Sequence, residues 1–332
     1  GDHELAQGYV GHTGMGWANR ALHECDALLV LGARLDVRQT GTRTDAFAAG
    51  ARIARIDVDA AELAQARVRV DLAIQADLAD ALPALDAAFA AAAHPRGPRD
   101  AWLQQLKEWR RALPLDDYDA GDGCHPAALL RALDAATRDE ELVVVTGVGH
   151  HQQWAARHLT FDAPRRQWLT SGGHGAMGYD LPSAVGACFA RPDARVVCVV
   201  GDGSLQINAQ ELATLAEHGL PAKIVVLDNR RLAMVSQFQK LTFGHDPSTG
   251  DRGAVGFAAP AGPSGHRAIA PVRLGRPGAD ASVDDAAAAV LDAFLAEPGP
   301  ALLWARVDPA CEVSPMLLAG QTLDAMWPWS PA

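Results

Sequence analysis

Short runs of β-branched residues recur along the chain. Most end in glycine, aspartate or asparagine, and stretches of helical period separate many of them. Residues 28–31, 52–57 and 72–76 form three such runs in the first third; 141–146, 167–170, 196–200, 224–227 and 302–307 follow. Runs this short and this continuously apolar read as buried strands of parallel sheets. Between them, 100–113 carries Trp102, Leu106 and Trp109 on one helical face. His125-Pro126 opens a helix through Ala136. Leu205, Ala209, Leu212 and Ala216 make a stripe that stops at Gly219, another helical pattern starts near Leu232, and a last one covers 283–296. The alternation predicts an α/β chain of two Rossmann-like three-layer domains with parallel sheets. The first is 1–93 and the second 124–330, joined by a linker, 94–123, whose amphipathic helix lies between the domains with its Trp pair used in packing. Within the second domain, 244–280 is dense in Gly, Pro and Ala, shows neither period, and reads as an irregular loop.

One stretch concentrates polar chemistry. The run 196–200 ends at Gly201-Asp202-Gly203-Ser204, and 224–227 ends at Asp228-Asn229. Open α/β sheets bind ligands at the carboxyl ends of their strands. Gly201 and Gly203 let the backbone approach a ligand closely. Asp202 offers a carboxylate oxygen and Asn229 an amide oxygen, the hard donors that Mg²⁺ prefers. A helix starting at Ser204 directs free N–H groups toward an anion. Together these describe a site for Mg²⁺ bound to a diphosphate. The strand 141–146 likewise ends at Gly147-Val148-Gly149-His150-His151. Adjacent helical residues point about 100° apart, so the two histidines read as phosphate contacts rather than a metal pair. In the first domain each strand also ends in a charged or glycine-containing turn, but no Gly-x-Gly-x-x-Gly is present.

Composition narrows the class. The 332 residues are 49% hydrophobic and 21% charged, as in a globular chain of about two domains. A net charge of −11 argues against nucleic acid or an anionic membrane as the main partner. No run approaches membrane-spanning length and no signal-like segment opens the chain. Five cysteines without metal or redox spacing read as reduced core thiols of a cytoplasmic protein.

The Gly-Asp-Gly followed by a distant Asn resembles the thiamine-diphosphate motif. The segments 169–178 (LTSGGHGAMG), 208–212 (NAQEL) and 234–238 (MVSQF), with Leu181-Pro182, look like the large subunit of acetolactate synthase and its homologues. That resemblance covers about 2–241 and 299–326. It implies a thiamine-diphosphate-binding second domain and an incomplete middle domain, with the preceding pyrimidine-binding domain missing; a sheet lacking its first strands should expose an edge. It adds the Arg231 carbonyl to Asp202 and Asn229 as a Mg²⁺ ligand. It places His150, His151, Gly201, Gly203, Ser204 and Met234 at the cofactor, the Gly175 carbonyl on the aminopyrimidine and Met177 under the bent rings. Val235 and Phe238 would shape the substrate pocket. FAD would meet Gly11, Gly14, Arg34, Asp36, Arg38, Asp57, Asp59 and Asp77. The sequence departs from the family at His12-Thr13-Gly14, Val37, His150, Asp180, Ala233 and Phe238, the last standing where the family has Trp.

The resemblance implies decarboxylation and carboligation of small 2-keto acids, of the acetolactate synthase type used in branched-chain amino acid synthesis. The Glu that contacts the pyrimidine would lie in the missing domain, so no catalytic residue is expected in this chain. A partner, in a dimer or other homo- or hetero-oligomer, would supply that domain. Two alternatives stay open: a related thiamine-diphosphate 2-keto acid decarboxylase, and a non-catalytic remnant or scaffold.

Overall fold

A computed structural model describes residues 3, 5–92, 99–116, 124–244, 267–269 and 285–328. The linker segments 93–98 and 117–123 and most of the expected loop 244–280 lie outside the described residues. The chain divides into two compact units, Leu5–Asp117 joined by Ser314–Ala332, and Tyr118–Val313 with Gly1–Glu4.

The first unit holds α1 (Gly16–Glu24), β1 (Ala27–Leu31), α2 (Val37–Thr40), β2 (Arg52–Asp57), α3 (Ala60–Ala64), β3 (Leu72–Gln75), α4 (Leu78–Ala91) and α5 (Asp100–Ala112). Its sheet is parallel in the order β1-β2-β3. Aspartates start three of the helices: the Asp36, Asp59 and Asp77 carboxylates accept backbone N–H groups at the N-termini of α2, α3 and α4. Val30, Leu35, Phe47 and Ile53 form a core with Leu317, Leu323 and Met326. The tail therefore belongs here, which corrects the expectation that the second domain runs to 330. A few buried apolar side chains, Leu317, Leu323 and Met326, decide where it docks. Helix α5 packs on α1, with Arg20 over the Trp109 ring and Arg110 over the Trp17 ring, each 5.4 Å from the centroid. It is thus part of the first unit rather than an interdomain helix, and Trp102 and Trp109 meet edge-on within it. Leu29 and Leu31 on β1 and Leu72 and Ile74 on β3 remain exposed. Register places Leu29 in line with Ala54 and Leu72, and Leu31 with Ile56 and Ile74, so the exposed apolar positions share a face of the sheet.

The second unit holds α6 (Pro126–Ala136), β4 (Leu142–Thr146), α7 (His150–His158), β5 (Arg166–Thr170), α8 (Asp180–Ala190), β6 (Arg195–Gly201), α9 (Asp202–Ile207), α10 (Glu211–Glu217), β7 (Lys223–Asp228), α11 (Ala233–Phe243), β8 (Arg267–Ile269), α12 (Asp285–Ala296) and β9 (Ala301–Arg306). Six parallel strands run in the order β5-β4-β6-β7-β9-β8. All five residues of β4 and Val196–Val200 of β6 are buried, as strands covered on both faces must be. Two expectations change. The single helix over 205–219 is two helices, α9 and α10; Asn208 leaves helical geometry and its Nδ2 donates to the Gly178 carbonyl at 2.7 Å. Within 244–280, residues 267–269 form β8, which pairs in parallel with β9. Hydrogen bonds to β9, rather than any apolar period, make that segment regular as the edge strand. No helix among the described residues is long and apolar enough to cross a membrane.

Candidate functional site

The parallel pairing of β4, β6 and β7 brings their carboxyl ends to one side of the sheet. A cavity of about 240 Å³ opens there. From the end of β4 and the first turn of α7 come Val148, Gly149, His150, His151 and Trp154; the glycine-rich loop before α8 adds Gly175 and Met177. The β6–α9 junction contributes Gly201 to Ser204, and the β7–α11 junction Asn229 and Arg231 to Val235. Every cofactor and metal candidate named from the second domain thus lines this cavity, together with Val235. Phe238 does not; it is 56% exposed and meets Phe243 edge-on. The sequence reading missed Gly149, Trp154 and Leu232. Trp154 was legible, since it stands one helical turn after His150 and meets that ring edge-on at 5.3 Å.

The metal candidates converge. Asp202 is the first residue of α9. The Asn229 side-chain oxygen accepts the N–H of Arg231 at 3.1 Å. Burial, reinforced by Asp228, pushes the Asp202 carboxyl up to about 7. A carboxylate, an amide oxygen and a carbonyl at the mouth of a cavity form the donor set of a hard divalent cation.

Two buried donors face the cavity without a protein partner among the described residues, His151 Nε2 and Trp154 Nε1. Burial, with His150 beside it, lowers His151 to about 3, so its imidazole is neutral. A Cβ at Gly149 would lie 2.9 Å from the His151 ring, and Gly149 adopts φ 155°. The backbone hugs this histidine too closely for any side chain. An orphaned buried nitrogen beside hard oxygen donors fits a diphosphate held through a metal ion.

Ser204 departs from expectation. Its hydroxyl donates to Asp180 Oδ2 at 2.5 Å and accepts the Gly178 N–H at 2.9 Å. The side chain is therefore committed to the protein, and only its backbone N–H is left for a ligand. Asp180 is fully buried and also accepts the N–H of Leu181 at 3.2 Å. Burial raises its carboxyl above the usual range.

The FAD candidates of the first unit are drawn into local structure. Arg34 pairs with Asp36 at 2.7 Å, and these two line a depression of about 350 Å³ with Glu62 and Arg67. Asp59 and Asp77 are helix caps, and Asp57 accepts the Asp59 N–H. Gly11 lies against the Arg38 carbonyl, and Gly14 against Val10 and Gly11. The structure does not gather the eight into one pocket among the described residues.

Comparison with known proteins matches residues 147–305 to the thiamine pyrophosphate enzyme C-terminal TPP binding domain, and residues 1–85 to the central domain of the same enzymes. The chain is 37% identical over 318 residues to the acetolactate synthase isozyme 1 large subunit of Escherichia coli (strain K12), covering 96% of this chain and 53% of that one. It is 41% identical over 242 residues to the isozyme 2 large subunit of the same organism, covering 73% and 42%. Against acetolactate synthase 1, chloroplastic, of Nicotiana tabacum, it is 37% identical over 324 residues, covering 96% and 47%. The chain spans about half the length of the curated relatives it matches.

Proposed function

This chain belongs to the thiamine pyrophosphate enzymes, and on that premise we propose that its second domain holds thiamine diphosphate and Mg²⁺ for 2-keto acid chemistry of the acetolactate synthase type. The observation that carries the reading is the convergence of Asp202, Asn229 and Arg231 with the orphaned His151 Nε2 on one cavity. Asp202, Asn229 and the Arg231 carbonyl would hold the metal ion. His151 would donate to the diphosphate, and Met177 and the Gly175 carbonyl would hold the rings. Thiamine diphosphate, when bound, supplies a carbon nucleophile and an electron sink for the decarboxylation of 2-keto acids. The protein's own part is to orient that group and keep water from it. The largely buried walls of the cavity, Trp154 and Leu227 among them, serve that end.

No Glu lines the cavity among the described residues. By the family resemblance, the acid that contacts the pyrimidine would come from a partner chain, within a homo- or hetero-oligomer. In the first domain, FAD would use the depression at Arg34 and Asp36. A second reading, a related decarboxylase of larger 2-keto acids, is favoured by Phe238, which is exposed instead of filling the cavity wall.

Titration calorimetry with thiamine diphosphate and Mg²⁺ tests the cofactor site. Binding is expected, with a loss of at least tenfold in Asp202→Ala. Equal binding by that variant would refute the assignment. Adding a chain that carries the pyrimidine domain should produce 2-keto acid turnover; silence with the cofactor bound would favour the scaffold alternative.

A further inference from the structure

A second cavity, of about 170 Å³, opens at the carboxyl ends of β7 and β9, the next pair of neighbouring strands in the sheet. It is lined by Asp228, Arg230, Arg231, Arg306, Val307 and Pro309. Three arginines and one aspartate thus line it, in a chain whose net charge is −11. Among the described residues none of the three arginines takes part in an ion pair. The single carboxylate is already engaged: Asp228 Oδ1 accepts the Arg230 N–H at 3.1 Å and Oδ2 accepts the Trp304 indole N–H at 2.9 Å.

Such a cluster repels itself unless an anion is present. Guanidinium forks match the oxygens of phosphate and carboxylate groups, and two or more together suit a doubly charged one. The backbone adds a second sign. Arg230 sits at φ 58°, a left-handed conformation that is strained for a non-glycine residue. Strain of this kind persists where the surrounding structure fixes it, and it clusters at ligand sites. Here the Asp228 and Asn229 side chains fix it from both sides, through the N–H groups of Arg230 and Arg231.

We propose that this cavity is a second anion site, distinct from the thiamine cavity, that takes a small phosphate-type dianion. Among the described lining residues, three positive groups against one negative leave a charge that a dianion balances. Arg231 lines both cavities, so any coupling between their ligands would be reciprocal. The cavity volume admits an inorganic phosphate or the phosphate end of a monoester.

The test is calorimetric titration of the purified chain with inorganic phosphate, without thiamine diphosphate or metal. Wild type, Arg306→Gln, Arg230→Asn and Asp202→Ala would be compared, with circular dichroism confirming that each variant is folded. Asn is chosen at 230 because it tolerates the left-handed backbone. Binding should weaken at least tenfold in Arg306→Gln and in Arg230→Asn and persist in Asp202→Ala. No binding by the wild type at millimolar phosphate, or equal binding by folded Arg306→Gln, overturns the proposal. So does loss in Asp202→Ala with retention in Arg306→Gln, which would place the phosphate in the thiamine cavity. Because thiamine diphosphate is absent, failure here leaves the cofactor reading untouched. A simple phosphomonoester in a parallel titration distinguishes free phosphate from an esterified source.

Discussion

Gly147→Ala places one methyl group where the second domain has no room for it. The Cβ would stand 2.0 Å from Asp180 Oδ2 and 2.8 Å from Ser204 Oγ. Ordinary contact begins at 3.4 Å, so the carboxylate has to retreat by about 1.4 Å. It has nowhere to go, because Asp180 is fully buried and held by Ser204 at 2.5 Å. Gly147 itself does not use a left-handed φ, so the substitution is a steric probe with no backbone penalty. Overpacking of this kind costs about 1–3 kcal/mol, and breaking the buried hydrogen bond costs ~1–3 kcal/mol more. The expected loss is roughly 2–6 kcal/mol, on the order of a 10 °C fall in Tm for a unit of this size. Ser204 also accepts the Gly178 N–H, so the glycine loop and the first turn of α9 shift together and thiamine diphosphate binding should weaken. Urea denaturation followed by fluorescence measures the loss. Asp180→Gly removes the obstructing carboxylate, so the double variant should recover about 2 kcal/mol relative to additivity. A Gly147→Ala protein within ~0.5 kcal/mol of wild type, or a double variant with additive losses, would show that this contact does not constrain the site.

Three further outcomes are expected. His151 has its pKa lowered to about 3 by burial, with the neighbouring His150 adding to it. The unfolded chain therefore takes up the proton first as pH falls below about 6.5, and stability drops by up to ~1.4 kcal/mol per pH unit toward pH 3. His151→Gln should flatten that part of a Tm–pH curve measured without thiamine diphosphate; an unchanged slope sinks the assignment. Asp180 is shifted the other way by burial. The folded state holds its proton more tightly than the unfolded one, so stability falls as pH rises from the ordinary carboxylate range through the raised pKa. Asp180→Asn should then gain stability relative to wild type on going from pH 4 to pH 8, and an equal difference at both pH values counts against it. Reconstitution with FAD, read by flavin absorbance after gel filtration, should retain less flavin in Arg34→Ala, whereas equal retention would exclude the Arg34–Asp36 depression.

The strands β4, β6 and β7 were legible because each is a dense apolar run covered on both faces, and burial of that kind leaves a mark in every residue of the run. Val196–Val200 and Ile224–Leu227 are such runs, and both are buried throughout. Their parallel pairing explains why two polar clusters about 25 residues apart in sequence meet at one cavity. The helix starts that place Asp36, Asp59 and Asp77 were likewise written locally, as caps. What the sequence hid depends on contacts between distant segments. The stripe through Leu205 and Leu212 has a helical period, yet Asn208 breaks it by bonding to the Gly178 carbonyl thirty residues away. Ser204 has the right type and position for an anion contact, but Asp180 takes its hydroxyl. The tail at 314–326 has no period to declare its domain, and a few buried side chains settle it. The arginines at 230, 231 and 306 are unremarkable charges along the chain and become one cavity only because β7 and β9 are neighbours. Burial and local hydrogen bonding follow the order of the chain, so sequence reveals them. Which side chain reaches a given donor or shares a given pocket is decided by strand order and packing, and those exist only in the folded molecule.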